Sequence, residues 1–158
     1  MRMSDLRNDL LNPTLKETLS LFQLDKYYIS GQGSYLLDEK GQRYLDFISQ
    51  YGAVPFGYNP DFIWERLQEV REKSLPSLVQ PSLPQEALKL ANMLADCSPG
   101  DLCYCTFCQS GAEAVEAAIK LARSSTSRKI IVSTTNSFHG KTMGALSATG
   151  KESYQKPF

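Results

Sequence analysis

Gln109-Ser110-Gly111-Ala112-Glu113-Ala114 decides how this chain of 158 residues is read. Before it runs an apolar, thiol-rich stretch, Leu102-Cys103-Tyr104-Cys105-Thr106-Phe107, which predicts a strand. After it, an alanine-rich pattern from Val115 to Arg123 predicts a helix. A strand, a glycine turn and a helix start, in that order, make an anion site. The first helical amides lack intrahelical acceptors, and the dipole places partial positive charge there. Gly111 and Ala112 carry no side chain large enough to obstruct a phosphate. Ser110-Gly111-Ala112-Glu113 also reads as a capping box, with Ser110 accepting from the Glu113 amide and Glu113 reaching back to the Ser110 amide. A capped helix and a phosphate cradle are compatible.

Ser124-Ser125-Thr126-Ser127 predicts a turn, and Lys129–Ser133 a second strand, closing one βαβ unit. Parallel strands end on the same sheet edge, where open α/β sheets bind ligands. Ser110–Ala112 would leave that edge after the first strand. Asn136-Ser137-Phe138-His139 would leave it after the second, offering an aromatic face and an imidazole. A phosphate cradle beside a flat ring suggests a phosphorylated aromatic cofactor. Phe138 can equally be a core aromatic, and His139 a satisfied polar residue in a turn.

Upstream, Asn12-Pro13 predicts a capped helix with Leu15, Leu19 and Phe22 on one face. Tyr27–Ser30, Ser34–Leu37 and Gln42–Phe47, separated by Gly31-Gln32-Gly33 and Asp38–Gly41, predict an antiparallel meander. Tyr51–Tyr58 is irregular. Asn59-Pro60 opens a helix whose inner face is Ile63, Leu67 and Val70. A linker with Pro76, Pro81 and Pro84 leads to a helix from Gln85 to Asp96, stopped by Ser98-Pro99-Gly100.

Composition narrows the classes. Net charge is zero, so no polyanionic partner such as nucleic acid is indicated. No apolar run approaches membrane-spanning length. The charged N-terminus, Met1–Asp9, does not read as a secretory signal, and a cytoplasmic protein is expected. Cys97, Cys103, Cys105 and Cys108 lack the spacing of a zinc knuckle, and the single His139 lies far away. They read as reduced thiols, acting as small hydrophobes on a buried strand.

Two long stretches carry a resemblance. Ser110–Arg123 (SGAEAVEAAIKLAR), followed by Phe138–Gly150 (FHGKTMGALSATG), resembles the class III pyridoxal-phosphate aminotransferases. Asp38-x-x-Gly41-x-x-Tyr44-Leu45-Asp46-Phe47 matches that family's N-terminal meander, and the resemblance runs from about Tyr28 to Phe158. It is strongest toward the acetylornithine, ornithine and putrescine branch, with a lean to the putrescine type in Phe107–Gly111 and Lys156-Pro157-Phe158.

The resemblance implies an α/β fold: the N-terminal arm and first part of the large-domain sheet of a fold-type I pyridoxal-phosphate transferase. Residues 1–58 would be a helix and meander, and 59–158 the start of the cofactor-binding domain. It implies pyridoxal 5'-phosphate as cofactor, an amino donor and a 2-oxo acid as substrates, and a homodimer. Gly111 and Ala112 would give amides to the phosphate with Ser110 beside them. Phe138 would stack on the ring, with His139 adjacent. Lys141 would lie near the substrate, and Tyr51-Gly52 would line the substrate mouth. The family usually has threonine at Ala112 and histidine at Tyr58. Its Schiff-base lysine and the aspartate pairing with the pyridine nitrogen have no counterpart in this chain, so no catalytic residue is assigned. The chain is therefore expected to be an N-terminal portion, inactive alone. Two alternatives stay open: a phosphate- or nucleotide-binding βαβ module without chemistry, and an aminotransferase-derived interaction domain.

Overall fold

The computed structural model describes residues 12–76 and 81–158. The charged N-terminal stretch and residues 77–80 of the proline-rich linker lie outside the described residues. The chain divides into two compact units, Met1–Ser77 and Leu78–Phe158.

In the first unit, helix α1 (Pro13–Leu21) starts as the sequence predicts. The Asn12 side chain accepts from the Leu15 amide, and Pro13 sits where no helical N–H is needed. Strands β1 (Tyr28–Gln32), β2 (Tyr35–Asp38) and β3 (Arg43–Leu45) form the antiparallel meander in the order β1-β2-β3. Asp38 ends β2 almost fully buried, and its carboxylate is satisfied there. One oxygen accepts from the Lys40 and Gln42 amides, the other from the Tyr44 hydroxyl. This aspartate folds the Asp38–Gly41 turn back on itself. Helix α2 (Ser49–Gly52) is a short left-handed excursion rather than a helical turn, with φ of 51°, 51° and 58° at Ser49, Gln50 and Tyr51. Helix α3 (Asp61–Glu72) follows Pro60, and its inner residues Ile63 and Leu67 remain exposed.

In the second unit, α4 (Gln85–Cys97) and α5 (Gly111–Thr126) occupy the predicted helical stretches. The turn expected at Ser124–Ser127 is absorbed into α5. The Ser125 and Thr126 hydroxyls donate back to the Leu121 and Ala122 carbonyls, and the helix stops only at Ser127, which is left-handed at φ 59°. Two short helices, α6 (Met143–Ala148) and α7 (Glu152–Gln155), complete the unit.

The strands expected at 102–107 and 129–133 are not formed as strands. Neither segment has a hydrogen-bonded strand beside it among the described residues. A strand exists through its ladder, and these two do not pair with each other. Their side chains stand in the open: Tyr104 is 97%, Ile130 85% and Val132 90% exposed. The expectation of a βαβ unit is thus corrected to one helix between two bare extended segments. The four cysteines are exposed, contrary to their expected place on a buried strand, for the same reason.

Burial is correspondingly small. The chain exposes 13791 Å². Two separate compact bodies of half its mass would together expose roughly 9600 Å². Among the described residues, the buried apolar ones are Ala145, Leu146 and Ala148, all on α6, with Thr149 beside them. The apolar burial among the described residues therefore lies in the Phe138–Gly150 motif.

Candidate functional site

The start of α5 has the cap the sequence predicts, with one change. The Ser110 hydroxyl accepts from the Glu113 amide at 3.2 Å, but the Glu113 carboxylate accepts from the Gln109 amide at 2.8 Å, not from that of Ser110. The reciprocal tie closes one residue earlier. The amides of Ser110, Gly111 and Ala112 are consequently left without an acceptor among the described residues. A Cβ on Gly111 would meet nothing within 4 Å. Three successive unpaired N–H groups at a helix N-terminus favour an anion by about 0.3–1 kcal/mol from the dipole alone.

The second motif reaches the first. Gly140, at φ +130°, packs so closely on α5 that a Cβ there would lie 2.7 Å from the Ala112 Cβ. The second motif thus meets the first at Gly140 and Ala112, without the sheet edge expected to bring the two together. Backbone stitching replaces the ladder. The Gly150 amide donates to the Ser137 carbonyl at 2.8 Å, and the Asn136 amide to the Gly150 carbonyl at 3.3 Å. Gly150 has no room for a side chain, since its Cβ would lie 2.5 Å from the Thr134 carbonyl oxygen. Thr149, 1% exposed, accepts from the His139 amide at 3.0 Å and lies within donating distance of the Gly140 and Ala145 carbonyls. Gln155 donates to the Leu146, Ser147 and Thr149 carbonyls and closes the end of α6.

Phe138 is 61% exposed, with its ring edge-on to Tyr154 at 6.5 Å, so it is no core aromatic here. His139 is half-buried and lines an apolar groove with Val115, Ile119 and Ile131. Lys141 is exposed.

Sequence reasoning missed Glu116. One oxygen of its carboxylate accepts from the Thr142 hydroxyl at 2.7 Å, the Gly144 amide at 2.8 Å and the Ala145 amide at 3.1 Å. These donors, Thr142 first, then Ala145 and, more weakly, Gly144, hold the Glu116 carboxyl below its ordinary value against an opposing desolvation. The contact leaves no room for a Cβ on Gly144 beside that carboxylate. The partners lie 26 to 29 residues away in sequence, beyond the reach of helical periodicity.

Tyr51 and Gly52 lie in the first unit. Tyr51 is 97% exposed at the crest of the left-handed run. Asp46 anchors that run: one oxygen accepts from the Ile48 and Ser49 amides, the other from the Tyr58 hydroxyl at 2.6 Å. The Tyr58 hydrogen bond, followed by those two amides, lowers the Asp46 carboxyl, and the same bond raises the Tyr58 phenol. Tyr58 also pairs with Gly33 through both backbone hydrogen bonds. The histidine-to-tyrosine departure thus has a structural role, as a clasp across the irregular 46–58 segment.

Among the described residues, no helix is long and apolar enough to cross a membrane. The class III aminotransferase family model matches residues 23–158. The chain belongs to the class III aminotransferases. It is 42% identical over 152 residues to the acetylornithine aminotransferase of Archaeoglobus fulgidus, covering 95% of this chain and 40% of that one. It is 38% identical over 155 residues to the aminotransferase PigE of Serratia sp., covering 98% of this chain and 18% of PigE. Among solved structures it resembles the adenosylmethionine-8-amino-7-oxononanoate aminotransferase of Methanocaldococcus jannaschii, with a TM-score of 0.80 and 28% identity over 96% of this chain and 38% of the other. The omega-transaminase of Thermomicrobium roseum matches with a TM-score of 0.75 and 30% identity, over 98% of this chain and 38% of that chain. The chain spans well under half the length of each, and the fold is that of the N-terminal part of a fold-type I transaminase with a partial sheet.

Proposed function

We propose that the protein to which these residues belong transfers an amino group from an amino acid or diamine, of the ornithine, acetylornithine or putrescine type, to a 2-oxo acid. Pyridoxal phosphate would be the cofactor and a homodimer the working form. The residues present fit that cofactor. Ser110, Gly111 and Ala112 offer unpaired amides with open space beside Gly111, the Gly140–Ala112 contact brings the loop that carries Phe138 against the start of α5, and the Phe138 ring is exposed. That juxtaposition is the observation that carries the reading. In it, the three amides hold the phosphate and Phe138 covers one face of the pyridine ring, with His139 adjacent. Lys141 lies near the substrate; separately, in the first unit, Tyr51-Gly52 belong to the segment that lines the substrate mouth. Residues 1–58 serve as the N-terminal arm, and 59–158 begin the cofactor-binding domain.

Bound there, pyridoxal phosphate supplies an electron sink for carbanion chemistry at the amino-bearing carbon. The residues of this chain contribute binding and orientation. A positioned phosphate and a covered ring face convert encounter into a fixed geometry, the effect by which enzymes lower barriers through orientation. None of the lysines here stands at the family's Schiff-base position, so the 158 residues alone are expected to bind without turning over.

The experiment incubates the full-length protein with pyridoxal phosphate, a 2-oxo acid and, in turn, ornithine, acetylornithine, putrescine and a nucleotide control. Amino transfer to the 2-oxo acid supports the reading. Tight nucleotide binding with no pyridoxal phosphate binding and no transfer contradicts it. Borohydride treatment of the 158-residue chain with pyridoxal phosphate should give no stoichiometric adduct at a single lysine. Such an adduct, with turnover, contradicts the division of labour.

A further inference from the structure

We propose that Glu116 is a positioning residue for the cofactor ring, setting Phe138 against the Ser110–Ala112 amides through its grip on Thr142, Gly144 and Ala145. The inference rests on the cofactor reading above and adds a residue to it. The Glu116 carboxylate touches neither phosphate amides nor Phe138 in this geometry; it acts through α6.

The network runs in one direction. The backbone next to Phe138 is fixed by the His139 amide donating to Thr149. Thr149 in turn lies within donating distance of the Ala145 carbonyl, so the position of His139 is referenced to α6. The segment 140–148, which carries α6, is referenced to α5 at two points. One is the contact of Gly140 with Ala112, the other the three hydrogen bonds of Glu116. Ala112 and Glu116 are four residues apart and therefore share a face of α5, one turn from each other. One contact alone leaves a hinge; two contacts a turn apart fix an angle. Glu116 is the second contact and the polar one. Its partners include the Gly144 and Ala145 amides, two of the orphan donors at the start of α6, which no intrahelical carbonyl can serve.

The far end of α6 provides a control. Gln155 makes three hydrogen bonds to that end without involving α5. Its removal loosens the same short helix while leaving the angle to α5 unchanged.

The test uses the full-length protein, pyridoxal phosphate titration, the visible circular dichroism of the bound cofactor and the thermal midpoint of the cofactor-free form. Glu116→Ala should weaken pyridoxal phosphate binding about tenfold, the scale of one charge-assisted hydrogen bond, and reduce the visible dichroism. Glu116→Gln keeps an acceptor oxygen and should recover most of both. Gln155→Ala should lower the midpoint and leave affinity within about twofold, since it breaks neutral bonds remote from α5. Wild-type affinity and dichroism in Glu116→Ala overturn the inference. So does a loss matched by Gln155→Ala at equal loss of midpoint, which would mark a role in stability alone. Should Glu116→Ala not fold, Thr142→Val decides, because it removes one donor of the three. About threefold weaker binding is expected for one lost hydrogen bond, and unchanged binding overturns the proposal. Wild-type protein that binds no pyridoxal phosphate overturns both this inference and the cofactor reading.

Discussion

The segment 134–150 and the extended segments 102–107 and 129–133 belong to the same unit, and the extended segments are the more apolar, yet only the first is closed. The first closes on itself. Thr149, Gly150 and Gln155 bind its backbone, Glu116 ties it to α5, and the buried apolar residues among those described lie there. The other two hold extended backbone in the open, with no ladder. The difference is one of where hydrogen bonds come from. A loop can satisfy its donors from neighbours a few residues away or from one carboxylate. An extended strand must borrow its partners from another strand. The candidate site survives in this chain because its geometry rests on the first kind of closure.

The largest expected effect follows from the bare segments. The 158-residue chain, purified alone, should associate. Exposed Ile130, Val132, Leu102 and Tyr104 on unpaired extended backbone favour edge pairing and aggregation. Size-exclusion chromatography with near-ultraviolet circular dichroism measures this. A sharp monomer peak with cooperative unfolding would show that the open segments find satisfaction within the chain and would erase the contrast.

Next comes Gly140→Ala, aimed at the closed region. A Cβ there meets Ala112 at 2.7 Å, and φ is +130°. Overpacking and backbone strain together should cost about 2–4 kcal/mol in the full-length protein. Gly41→Ala sharpens the reading. It has φ +80° but nothing within 4 Å. Strain alone should cost about 1–2 kcal/mol. Equal losses for the two variants would remove the Ala112 contact as the reason 138–140 lies where it does.

Much of this was legible in the sequence, for reasons that can be named. Asn12-Pro13 and Ser110-x-x-Glu113 announce helix starts because capping is a local event. The meander follows from turn residues between alternating strands. Glu116 was hidden because its three donors lie one loop and one helix away, and on α5 it looks like an ordinary solvated glutamate. The left-handed run 49–51 was hidden because serine, glutamine and tyrosine carry no signal for positive φ; Asp46 imposes it from outside. Ser124–Thr126 misled because serines that end helices and serines that bond back along them look alike in sequence.

The smallest effect concerns the clasp in the first unit, which closes in the same polar manner as the 134–150 region. The phenol of Tyr58 is raised by its bond to Asp46, so the clasp is fully present below the ordinary tyrosine range and is lost as pH rises through the folded value. Asp46 is lowered, chiefly by Tyr58, so its share is lost as pH falls through its folded value. Phenolate absorbance should show late-ionising tyrosines, Tyr44 being raised in the same way by its hydrogen bond to Asp38. Tyr58→Phe should remove part of that late step and lower the midpoint by a few degrees at most, about one lost hydrogen bond. An unchanged late step would show that Tyr58 ionises freely and clasps nothing.

The most direct test of the account is the affinity of the full-length protein for pyridoxal phosphate, compared between wild type, Gly111→Val and Ala112→Thr. The proposed cradle consists of backbone amides with open space beside Gly111. Valine there puts a branched side chain into the phosphate's approach and should weaken binding at least about tenfold, a loss of roughly 1.4 kcal/mol. Threonine at 112 keeps the amide and should bind within about twofold of wild type, since a hydroxyl adds at most one hydrogen bond. Gly111→Val protein that binds pyridoxal phosphate as tightly as wild type would contradict the account, because the phosphate would then have to be held somewhere other than the start of α5.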